Sequence, residues 1–325
     1  MKLRFCVALC MILLGLTSLG VAQAMAQTFP TRQVTIIVPF PAGATTDILA
    51  RIVGDQLSRK WNVAVIVDNR AGASGQVGSE ILTRSPPDGY TMMITATHHV
   101  INPSLYNNMR YDTKKDFTDI ALVASVPNVL VVNPQFPAKT VQDIIRMAKE
   151  APGELQFGSS GIGGANHLSG ELFAYHAGIK LTHIPYKGAA PAMNDVLGGH
   201  IPMMVDSLPT AIPQVRAGNL RAIGVTTIKR SPMAPDIPTL DELGIKGFDA
   251  SSWFGMYGPP NMPPEVLKKI STDVLEVLSS PEVKSKFSEQ GAEPGTLSQA
   301  DFTKFVNSEV DKWNKIITQA GIKLE

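Results

Sequence analysis

The chain has 325 residues, of which 44% are hydrophobic and 18% charged, and its 27 glycines and 24 prolines are typical of a globular protein with many loops. The 29 basic and 28 acidic residues give a formal net charge of +1, which is no marked basic excess, so we expect no nucleic-acid partner. The length is enough for two domains of ordinary size.

The first 26 residues are typical of a secretory signal peptide. Lys2 and Arg4 precede an apolar stretch, Phe5 to Leu19, and Ala24-Met25-Ala26 is a small-residue cleavage site. We expect a mature protein that begins near Gln27. Both cysteines of the chain lie in this leader, so the mature protein is expected to have no disulfide, no cysteine-metal site and no cysteine nucleophile.

The stretch from Val34 to Asp47 predicts a strand followed by a helix whose start favours an anion. Val34 to Val38 is apolar and β-branched, and the turn Ala42-Gly43-Ala44 leads into Thr45-Thr46-Asp47, a typical N-cap cluster. A helix that begins here directs free backbone N–H groups and the positive end of its dipole at one point, where a carboxylate, sulfate or phosphate is favoured. Any turn from strand to helix in an α/β protein has this pattern, so it does not establish a site by itself.

The predicted elements that follow alternate between strands and helices, which indicates a parallel sheet with helices on its faces. Hydrophobic periodicity predicts strands over residues 63–67, 90–96, 120–124, 129–132, 155–157, 181–186, 201–206, 220–226 and 248–259. It predicts helices over residues 76–83, 140–150, 190–197, 210–216, 264–278, 281–289 and 298–321, and one that ends near residue 177. Thr97, His98 and His99 directly follow a strand, at the edge of the sheet where ligands collect in such folds.

A second strand, glycine-serine loop and helix start resembles the first. Gly158-Ser159-Ser160-Gly161-Ile162-Gly163-Gly164-Ala165-Asn166-His167 follows the strand at 155–157. A cleft between two such helix starts would hold a small anion from both sides without an arginine.

Other readings of these loops lack the spacing they require. Asn166 stands where a dinucleotide fingerprint needs its last glycine, and there is no phosphate-binding loop of the G-x-x-x-x-G-K-[ST] type. Ile162 replaces the closing glycine of a serine-hydrolase elbow. No helical pair of histidines four residues apart accompanies His98, His99 or His167, so we expect no metal and no cofactor, and hydrogen-bonding or capping roles for the histidines. For Asp47, a role in satisfying the helix dipole is favoured over a contact with the ligand.

Several motifs together resemble the Bug family, the periplasmic solute-binding receptors of tripartite tricarboxylate transporters. They are Val38-Pro-Phe-Pro-Ala-Gly-Ala-Thr-Thr-Asp47, Asp68-Asn-Arg-Ala-Gly-Ala-Ser-Gly75, Pro86-Pro-Asp-Gly-Tyr90, Phe157-Gly-Ser-Ser-Gly161, His167-Leu-Ser-Gly-Glu-Leu172, Pro185-Tyr-Lys-Gly188 and Trp253-Phe254-Gly255. The match covers essentially the whole mature chain. It specifies the family and leaves the ligand open among di- and tricarboxylates, acidic amino acids and aromatic acids.

The resemblance implies an α/β type II periplasmic-binding-protein fold, with two α/β lobes joined by two crossover strands and a ligand cleft between them. Residues 27–128 and 229–325 would form the first lobe, and residues 129–228 the second. The crossovers are expected near Val129 to Asn133 and near Ile223 to Thr227, and the second could lie as late as Ser251.

The resemblance also implies the function, which is capture of a small carboxylated solute in the periplasm for delivery to membrane transporter subunits. We expect a monomer that is not an enzyme and has no catalytic residues; the alternative is a hydrolase or lyase acting on a small organic acid in the same cleft. The expected ligand-binding residues are Phe40, Ala42, Gly43, Ala44, Thr45, Thr46, Asp47, Ser74, Thr97, His98, Ser159, Ser160, Gly161, Gly163, Gly164, Ala165, His167, Asp206 and Ser207.

The ligand is expected to be held mainly by backbone N–H groups at Gly43 to Thr46 and Gly161 to Ala165, with help from the hydroxyls of Thr46, Ser159 and Ser160. The family commonly has two consecutive glycines in the first turn, and the second is replaced here by Ala44. If that position needs a positive φ, alanine costs about 1 kcal/mol or more and reshapes the site.

Overall fold

A computed structural model describes residues 29–186 and 188–322 of the chain. The predicted signal peptide, residues 1–26, and the predicted mature N-terminus at Gln27 lie outside the described residues. Among the helices of the described part, none combines the length and the apolar character needed to cross a membrane.

The strands and helices follow the alternation that the sequence predicts. The strands are β1 (Val34–Val38), β2 (Val65–Asn69), β3 (Thr91–Ala96), β4 (Thr118–Val126), β5 (Asn128–Val132), β6 (Gln156–Ser159), β7 (Thr182–Pro185), β8 (Met203–Ser207), β9 (Arg221–Val225), β10 (Ser252–Gly258) and β11 (Glu293–Pro294). The helices are α1 (Thr45–Trp61), α2 (Gln76–Thr83), α3 (His98–Leu105), α4 (Val141–Glu150), α5 (Ala165–Ala177), α6 (Ala189–Leu197), α7 (Leu208–Arg216), α8 (Pro264–Ser279), α9 (Pro281–Glu289) and α10 (Gln299–Ala320).

The strands form two mixed sheets. The first has the order β11-β4-β10-β3-β1-β2, in which β1 is parallel to both β2 and β3 while β10 runs antiparallel between β3 and β4. The second has the order β7-β6-β8-β5-β9, in which β6 is parallel to β7 and β8 while β5 is antiparallel to β8 and β9. The two-sheet α/β architecture that the resemblance implied is confirmed.

The chain passes from the first sheet to the second within a single residue, Pro127, which separates β4 from β5. It returns between β9 and β10. In that segment Thr239 pairs with Val225 of β9, and the N–H of Ala250 donates to the carbonyl oxygen of Thr226 at 2.9 Å. The segment therefore packs on the second sheet as far as residue 250.

Two stretches differ from the sequence expectation. The strand expected over 63–67 lies two residues later, because Asp68 and Asn69 pair with β1 and are not part of the following loop. His98 and His99 form the first turn of α3 and are not the extended end of β3. The run that follows them has enough buried apolar side chains, Val100 and Ile101 among them, to favour a helix packed on the sheet.

The helices α1 and α5 follow β1 of the first sheet and β6 of the second sheet, and each is packed on its own sheet. Val34, Ile36 and Val38 of β1 are fully buried and pack with Leu49 and Val53 of α1. In the second sheet α5 packs closely on β6, because a Cβ at Gly170 would lie only 2.1 Å from the ring of Phe157. As a result, the loops after β1 and β6 both end in helix N-termini that are fixed on a packed core.

Candidate functional site

A cleft of about 340 Å³ lies where the loops after β1, β3 and β6 meet the start of β10. Residues predicted for the site that line the cleft are Phe40, Ala44, Thr45, Thr46, Thr97, His98, Ser160, Gly161, Gly164 and Ala165. Further residues of its wall, which the sequence did not indicate, are Ala96, Ile162, Asn166, Ser252 and Phe254. The cleft therefore brings together the two helix starts that the sequence singled out.

Other predicted residues lie outside the wall of the cleft. They are Ala42, Gly43, Asp47, Ser74, Ser159, Gly163, His167, Asp206 and Ser207. Most of them contact the loops from behind and hold them in shape, as their hydrogen bonds show.

The first turn depends on the left-handed backbone of Gly43, at φ 83°. Ala44 has φ −69° and ψ 157°, an extended conformation that any residue adopts, so the strain considered for alanine at this position does not arise. Gly43 is therefore the residue of this turn at which a side chain would be costly.

Asp47 holds the first turn from the buried side. Its Oδ2 accepts a hydrogen bond from the N–H of Gly43 at 2.9 Å, its Oδ1 accepts one from Asn69 at 2.9 Å, and Arg51 forms an ion pair with it at 2.9 Å. Burial acts to raise the pKa of Asp47, but the hydrogen bonds from Arg51, Gly43 and Asn69 outweigh it and hold the pKa below its usual value. With only 3% of its surface exposed, Asp47 positions the turn and does not face the cleft.

The hydrogen bonds of this turn narrow the set of N–H groups that a ligand can reach. The N–H of Gly43 is taken by Asp47, and that of Ala44 donates to the carbonyl oxygen of Pro41 at 3.3 Å. Thr45 and Thr46 begin α1, where N–H groups have no acceptor within the helix, and the methyl side chain of Ala44 offers no cap. Of the predicted N–H groups from Gly43 to Thr46, those of Thr45 and Thr46 are therefore the ones without an acceptor within the turn or the helix.

The second turn, residues 161–164 before α5, has the same kind of hydrogen bond as the first, with a histidine in place of an aspartate as the acceptor. The N–H of Gly163, at φ 75°, donates to Nδ1 of His167 at 3.0 Å, and the N–H of Gly161 donates to the hydroxyl of Ser159 at 3.2 Å. Gly164 has no side chain to cap α5, which leaves the first-turn N–H groups of Ala165 and Asn166 without a helical acceptor.

Ser159 lies beneath the second turn and is fully buried. Its hydroxyl is 2.6 Å from Nε2 of His183, whose ring stacks on that of His167 with centroids 3.8 Å apart. Burial, together with the nearby His167, lowers the pKa of His183 to about 3, so His183 is neutral near pH 7. The Ser159 hydroxyl, which was expected to donate to a ligand, faces His183 in this geometry and does not line the cleft.

The start of α3 forms a third part of the wall. Thr97, the residue before the helix, exchanges hydrogen bonds with the backbone of Trp253 at 3.2 and 3.4 Å and does not cap α3. His98 packs on Phe40 with ring centroids 5.3 Å apart, and its Nδ1 is buried with no hydrogen-bond partner among the described residues. Because burial lowers the pKa of His98, the wall has a neutral imidazole here.

Asn166 reaches the cleft from α5 and is held by a buried carboxyl group. Its Nδ2 donates to Oδ1 of Asp206 at 3.0 Å, and the hydroxyl of Thr210 donates to Oδ2 at 2.7 Å. Asp206 is 1% exposed and burial raises its pKa, opposed by these hydrogen bonds. Asp206 therefore lies behind Asn166, and the adjacent Ser207 pairs with Asn128 between β8 and β5.

Ser74 is an exposed residue that does not line the cleft. Its hydroxyl is 2.9 Å from that of Tyr106, and its carbonyl oxygen accepts a hydrogen bond from Asn102 of α3 at 2.9 Å. Ser74 therefore ties the loop before α2 to α3, which carries His98.

Some of the wall residues that were not predicted had a signal in the sequence, and others had none. Asn166 and Ile162 belong to the second glycine loop, so the predicted site could have included them on the basis of that loop. Ser252 and Phe254 alternate on β10, which was predicted as a strand, but its position between β3 and β4 depends on pairing across more than 100 residues of chain.

The family model described as "Tripartite tricarboxylate transporter family receptor" matches residues 49–322. The chain belongs to this family. It is 34% identical to the protein BugT of Bordetella pertussis (strain Tohama I) over 306 residues, which cover 94% of each chain.

Solved structures of similar sequence support the same assignment for the receptor. A structure of R. palustris Rpa4515 with adipate is 39% identical, with a TM-score of 0.76, and a structure of the periplasmic binding protein BugD is 33% identical, with a TM-score of 0.72. Each alignment covers 91% of this chain and 100% of the other.

The family and the resemblance predicted from the motifs are confirmed, and the receptor is a solute-binding protein of tripartite tricarboxylate transport. The family and these structural neighbours are binding proteins, so the hydrolase or lyase alternative is not favoured.

Proposed function

We propose that the receptor binds a carboxylate group of its solute between the starts of α1 and α5. The observation that carries this proposal is that both helices begin at the cleft with no side-chain cap, at Ala44 and Gly164. Uncapped first-turn N–H groups and the helix dipole favour an anion there.

The N–H groups of Thr45 and Thr46 would donate from one side and those of Ala165 and Asn166 from the other, with the hydroxyls of Thr46 and Ser160 in reach of the same cleft. A hydrogen bond to a charged group contributes roughly 1.5–3 kcal/mol, so each of these donors would add measurably to the affinity. In this proposal Asp47, Ser159, His167 and Asp206 shape the two turns and do not contact the ligand.

The rest of the ligand would lie against apolar wall residues. Phe40, Ile162 and Phe254 line the cleft, and the side chain of Ile162 is 41% exposed. A solute with a hydrocarbon body between polar ends would bury this surface. Adipate, the compound in the Rpa4515 structure, has that form.

The proposal includes two lobes that close on the solute. Pro127 would form one crossing between them, and the contacts of Thr239 and Ala250 with β9 and its flank support a second crossing near Ser251, later than Thr227. The lobes would then comprise residues up to 126 with those from 252 onward, and residues 128–250.

We further propose that the receptor is exported to the periplasm, works there as a monomer without a cofactor, and delivers its solute to the membrane subunits of the transporter. The signal-peptide pattern of residues 1–26 and the periplasmic location of BugD support this placement. N-terminal sequencing of the periplasmic protein tests it, with Gln27 expected as the first residue.

Titration calorimetry with succinate, glutarate, adipate, citrate and benzoate tests the ligand class, and product analysis of the same mixtures tests for turnover. We expect saturable binding of at least one acid and recovery of that acid unchanged. Turnover at a useful rate, or no binding of any carboxylate, would overturn the proposal.

Gly164→Leu tests whether binding occurs in this cleft. Gly164 has φ −76° and no atom nearer than 3.8 Å to an added Cβ, so the variant is expected to fold, while its side chain fills the space before α5. Ala151→Leu, at an exposed position after α4, is the matched control. Only Gly164→Leu should lose binding, and equal affinities in the two variants would place the ligand elsewhere.

A further inference from the structure

We propose that Asn128 is a positioning residue that fixes how the two crossings between the sheets lie beside each other. This inference rests on the proposed function in one respect, since it concerns two lobes that move relative to each other around a solute. Asn128 begins β5, directly after Pro127, and is fully buried. A buried amide costs free energy unless its polar atoms are bonded, so its partners indicate what it does.

The two crossings are hydrogen-bonded to each other through the backbone of Asn128. Its N–H donates to the hydroxyl of Thr226 at 3.1 Å, and its carbonyl oxygen accepts a hydrogen bond from the N–H of Thr226 at 2.9 Å. The carbonyl oxygen of Thr226 in turn accepts one from the N–H of Ala250 at 2.9 Å. Since Thr226 follows β9, the first crossing is bonded to the segment that leads from the second sheet back to the first.

The side chain of Asn128 extends this link across the return crossing. Its Nδ2 donates to the carbonyl oxygen of Ala250 at 3.3 Å and to the hydroxyl of Ser169 at 3.4 Å. Its Oδ1 accepts a hydrogen bond from the hydroxyl of Ser252, the first residue of β10, at 3.4 Å. One amide therefore bonds the last residue of the segment on the second sheet and the first residue of the strand in the first sheet.

Two partners of this amide lead directly to the cleft. Ser252 is part of its wall. Ser169 lies on α5, and its hydroxyl donates to the carbonyl oxygen of Ala165 at 2.7 Å, in the first turn of that helix. The N–H of Ala165 is one of the proposed carboxylate donors. A change in the orientation of Asn128 is therefore expected to move one wall residue and the start of α5 relative to each other.

The three bonds of the side chain are long for hydrogen bonds, at 3.3–3.4 Å. Each is weak by itself, and a small rotation of one crossing against the other would lengthen some of them further. The amide is therefore best bonded over a narrow range of lobe orientations. This is the property expected of a residue that positions the lobes, since a residue that only stabilised the second lobe would need no contact with Ser252.

Asn128→Leu removes the amide and keeps a side chain of similar size. The variant is expected to fold, because the carbonyl oxygen of Ala250 keeps the hydroxyl of Ser169 at 3.3 Å as a donor. Both cysteines of the chain lie in the predicted leader, so Lys149→Cys on α4 and Lys268→Cys on α8, both at exposed positions, place one spin label in each lobe of the mature receptor. The distribution of distances between the labels should be broader in Asn128→Leu than in the protein with Asn128.

Asn133→Leu is the matched control. Asn133 follows the other end of β5, is 7% exposed, and its Nδ2 donates to the carbonyl oxygens of Val196 and Leu197 at 2.7 and 3.3 Å, within the second lobe. Urea unfolding should show a loss of stability at least as large as in Asn128→Leu, because one of these bonds is shorter. The label distances should nevertheless not change. An unchanged distribution in Asn128→Leu, or equal broadening in Asn133→Leu, overturns the inference.

Calorimetry with succinate, glutarate, adipate, citrate and benzoate measures the consequence for capture. A receptor that samples more lobe orientations spends less time in the one that binds, and its apparent dissociation constant rises in proportion. For an acid that binds the wild type, we expect a rise of at least about tenfold in Asn128→Leu and of less than about threefold in Asn133→Leu. Equal dissociation constants in the two variants contradict the inference. If no acid binds the wild type, the proposed function is wrong, and the label distances still test Asn128.

Ser252→Ala tests the contact across the crossing by a smaller change, and it serves also if Asn128→Leu does not fold. The variant removes the hydroxyl that donates to Oδ1 of Asn128. Its label distances, measured without any acid, should be broader than those of the wild type. The double variant should be no broader than Asn128→Leu, because both changes remove one contact. A wild-type distribution in Ser252→Ala, or additive broadening in the double variant, would show that this contact does not position the lobes.

Discussion

The N–H of Gly163 donates a hydrogen bond to Nδ1 of His167, four residues later and at 3.0 Å. Gly43 and Asp47 have the same relationship at 2.9 Å in the other half of the molecule. In both turns a glycine with positive φ precedes the helix by two positions, and the third helical residue turns back to bind it. The two turns therefore share one backbone arrangement, in which the glycine N–H donates to a carboxylate in one turn and to an imidazole in the other.

Gly43→Val should lose detectable binding while the fold is retained. A branched residue at φ 83° costs at least about 1–2 kcal/mol of stability, and relief of this strain would turn the N–H groups of Thr45 and Thr46 away from the cleft. Gly153→Val is the matched control, because Gly153 has φ 86° and, like Gly43, no atom within 4 Å of an added Cβ. Calorimetry should show similar destabilisation of both variants but intact binding in Gly153→Val.

Asp47→Ala should weaken the binding of every carboxylate ligand by a similar factor. The variant leaves the Gly43 N–H without its acceptor and removes one of the two acceptors of the Asn69 amide, which costs about 1–3 kcal/mol and loosens the turn. Asp55→Ala on the same helix removes an exposed ion pair with Arg59 and should change stability by less than about 1 kcal/mol. Loss of only one class of ligand in Asp47→Ala would instead assign Asp47 a direct contact.

Glu309→Ala should destabilise the receptor by roughly 2–5 kcal/mol, because it leaves two buried indole N–H groups unpaired. Oε2 of Glu309 accepts from Trp253 at 3.0 Å and from Trp313 at 3.1 Å, which joins β10 to α10. Urea unfolding followed by tryptophan fluorescence measures the loss. Asp311→Ala, whose carboxylate is 73% exposed, should stay within about 1 kcal/mol of wild type, and an equal loss would contradict the role of Glu309.

The receptor should lose stability as the pH falls from 6.5, partly because of His99. Burial lowers the pKa of His99 to about 3, while an unfolded histidine has a pKa of about 6.5. Between these values the unfolded chain binds a proton that the native state does not, so the free energy of unfolding falls with falling pH. His183, with a pKa also lowered to about 3, acts in the same direction.

His99→Leu tests this dependence, because both ring nitrogens of His99 are buried without a hydrogen-bond partner among the described residues. Between pH 6.5 and 4.5 the variant should lose roughly 2 kcal/mol less unfolding free energy than wild type. Denaturant unfolding at the two pH values is the measurement. Parallel losses in the two proteins would show that His99 is protonated in the native state.

Local chemistry explains why the two helix starts could be predicted. Alternating and β-branched residues and glycines act within a few positions of one another, so Val34–Val38 and the start of α1 follow from their own sequence. The expected N-cap cluster Thr45-Thr46-Asp47 instead forms the first turn of α1, after Ala44 at the N-cap. A local pattern likewise predicted α4 over residues 140–150, where Thr140 and Asp143, three positions apart, form a capping box.

The direction in which a side chain of these loops points could not be predicted from local sequence. Ser159 and Asp206 were expected to face a ligand, yet Ser159 bonds His183 of β7 and Asp206 bonds Asn166 and Thr210. Each of these contacts is decided by a partner on another element. A polar residue at the end of a strand can point into the cleft or behind it, and no local pattern distinguishes the two.

The sequence by itself determined the family, the alternation of strands and helices, and the positions of the two helix starts after β1 and β6, because these depend on local pattern and on motifs that the chain retains. Only the tertiary structure decided which N–H groups stay free, that β10 inserts antiparallel between β3 and β4, and that Ser252 and Phe254 reach the cleft. These features require pairing between residues far apart in the chain, and such pairing is selected by the packing of the whole core.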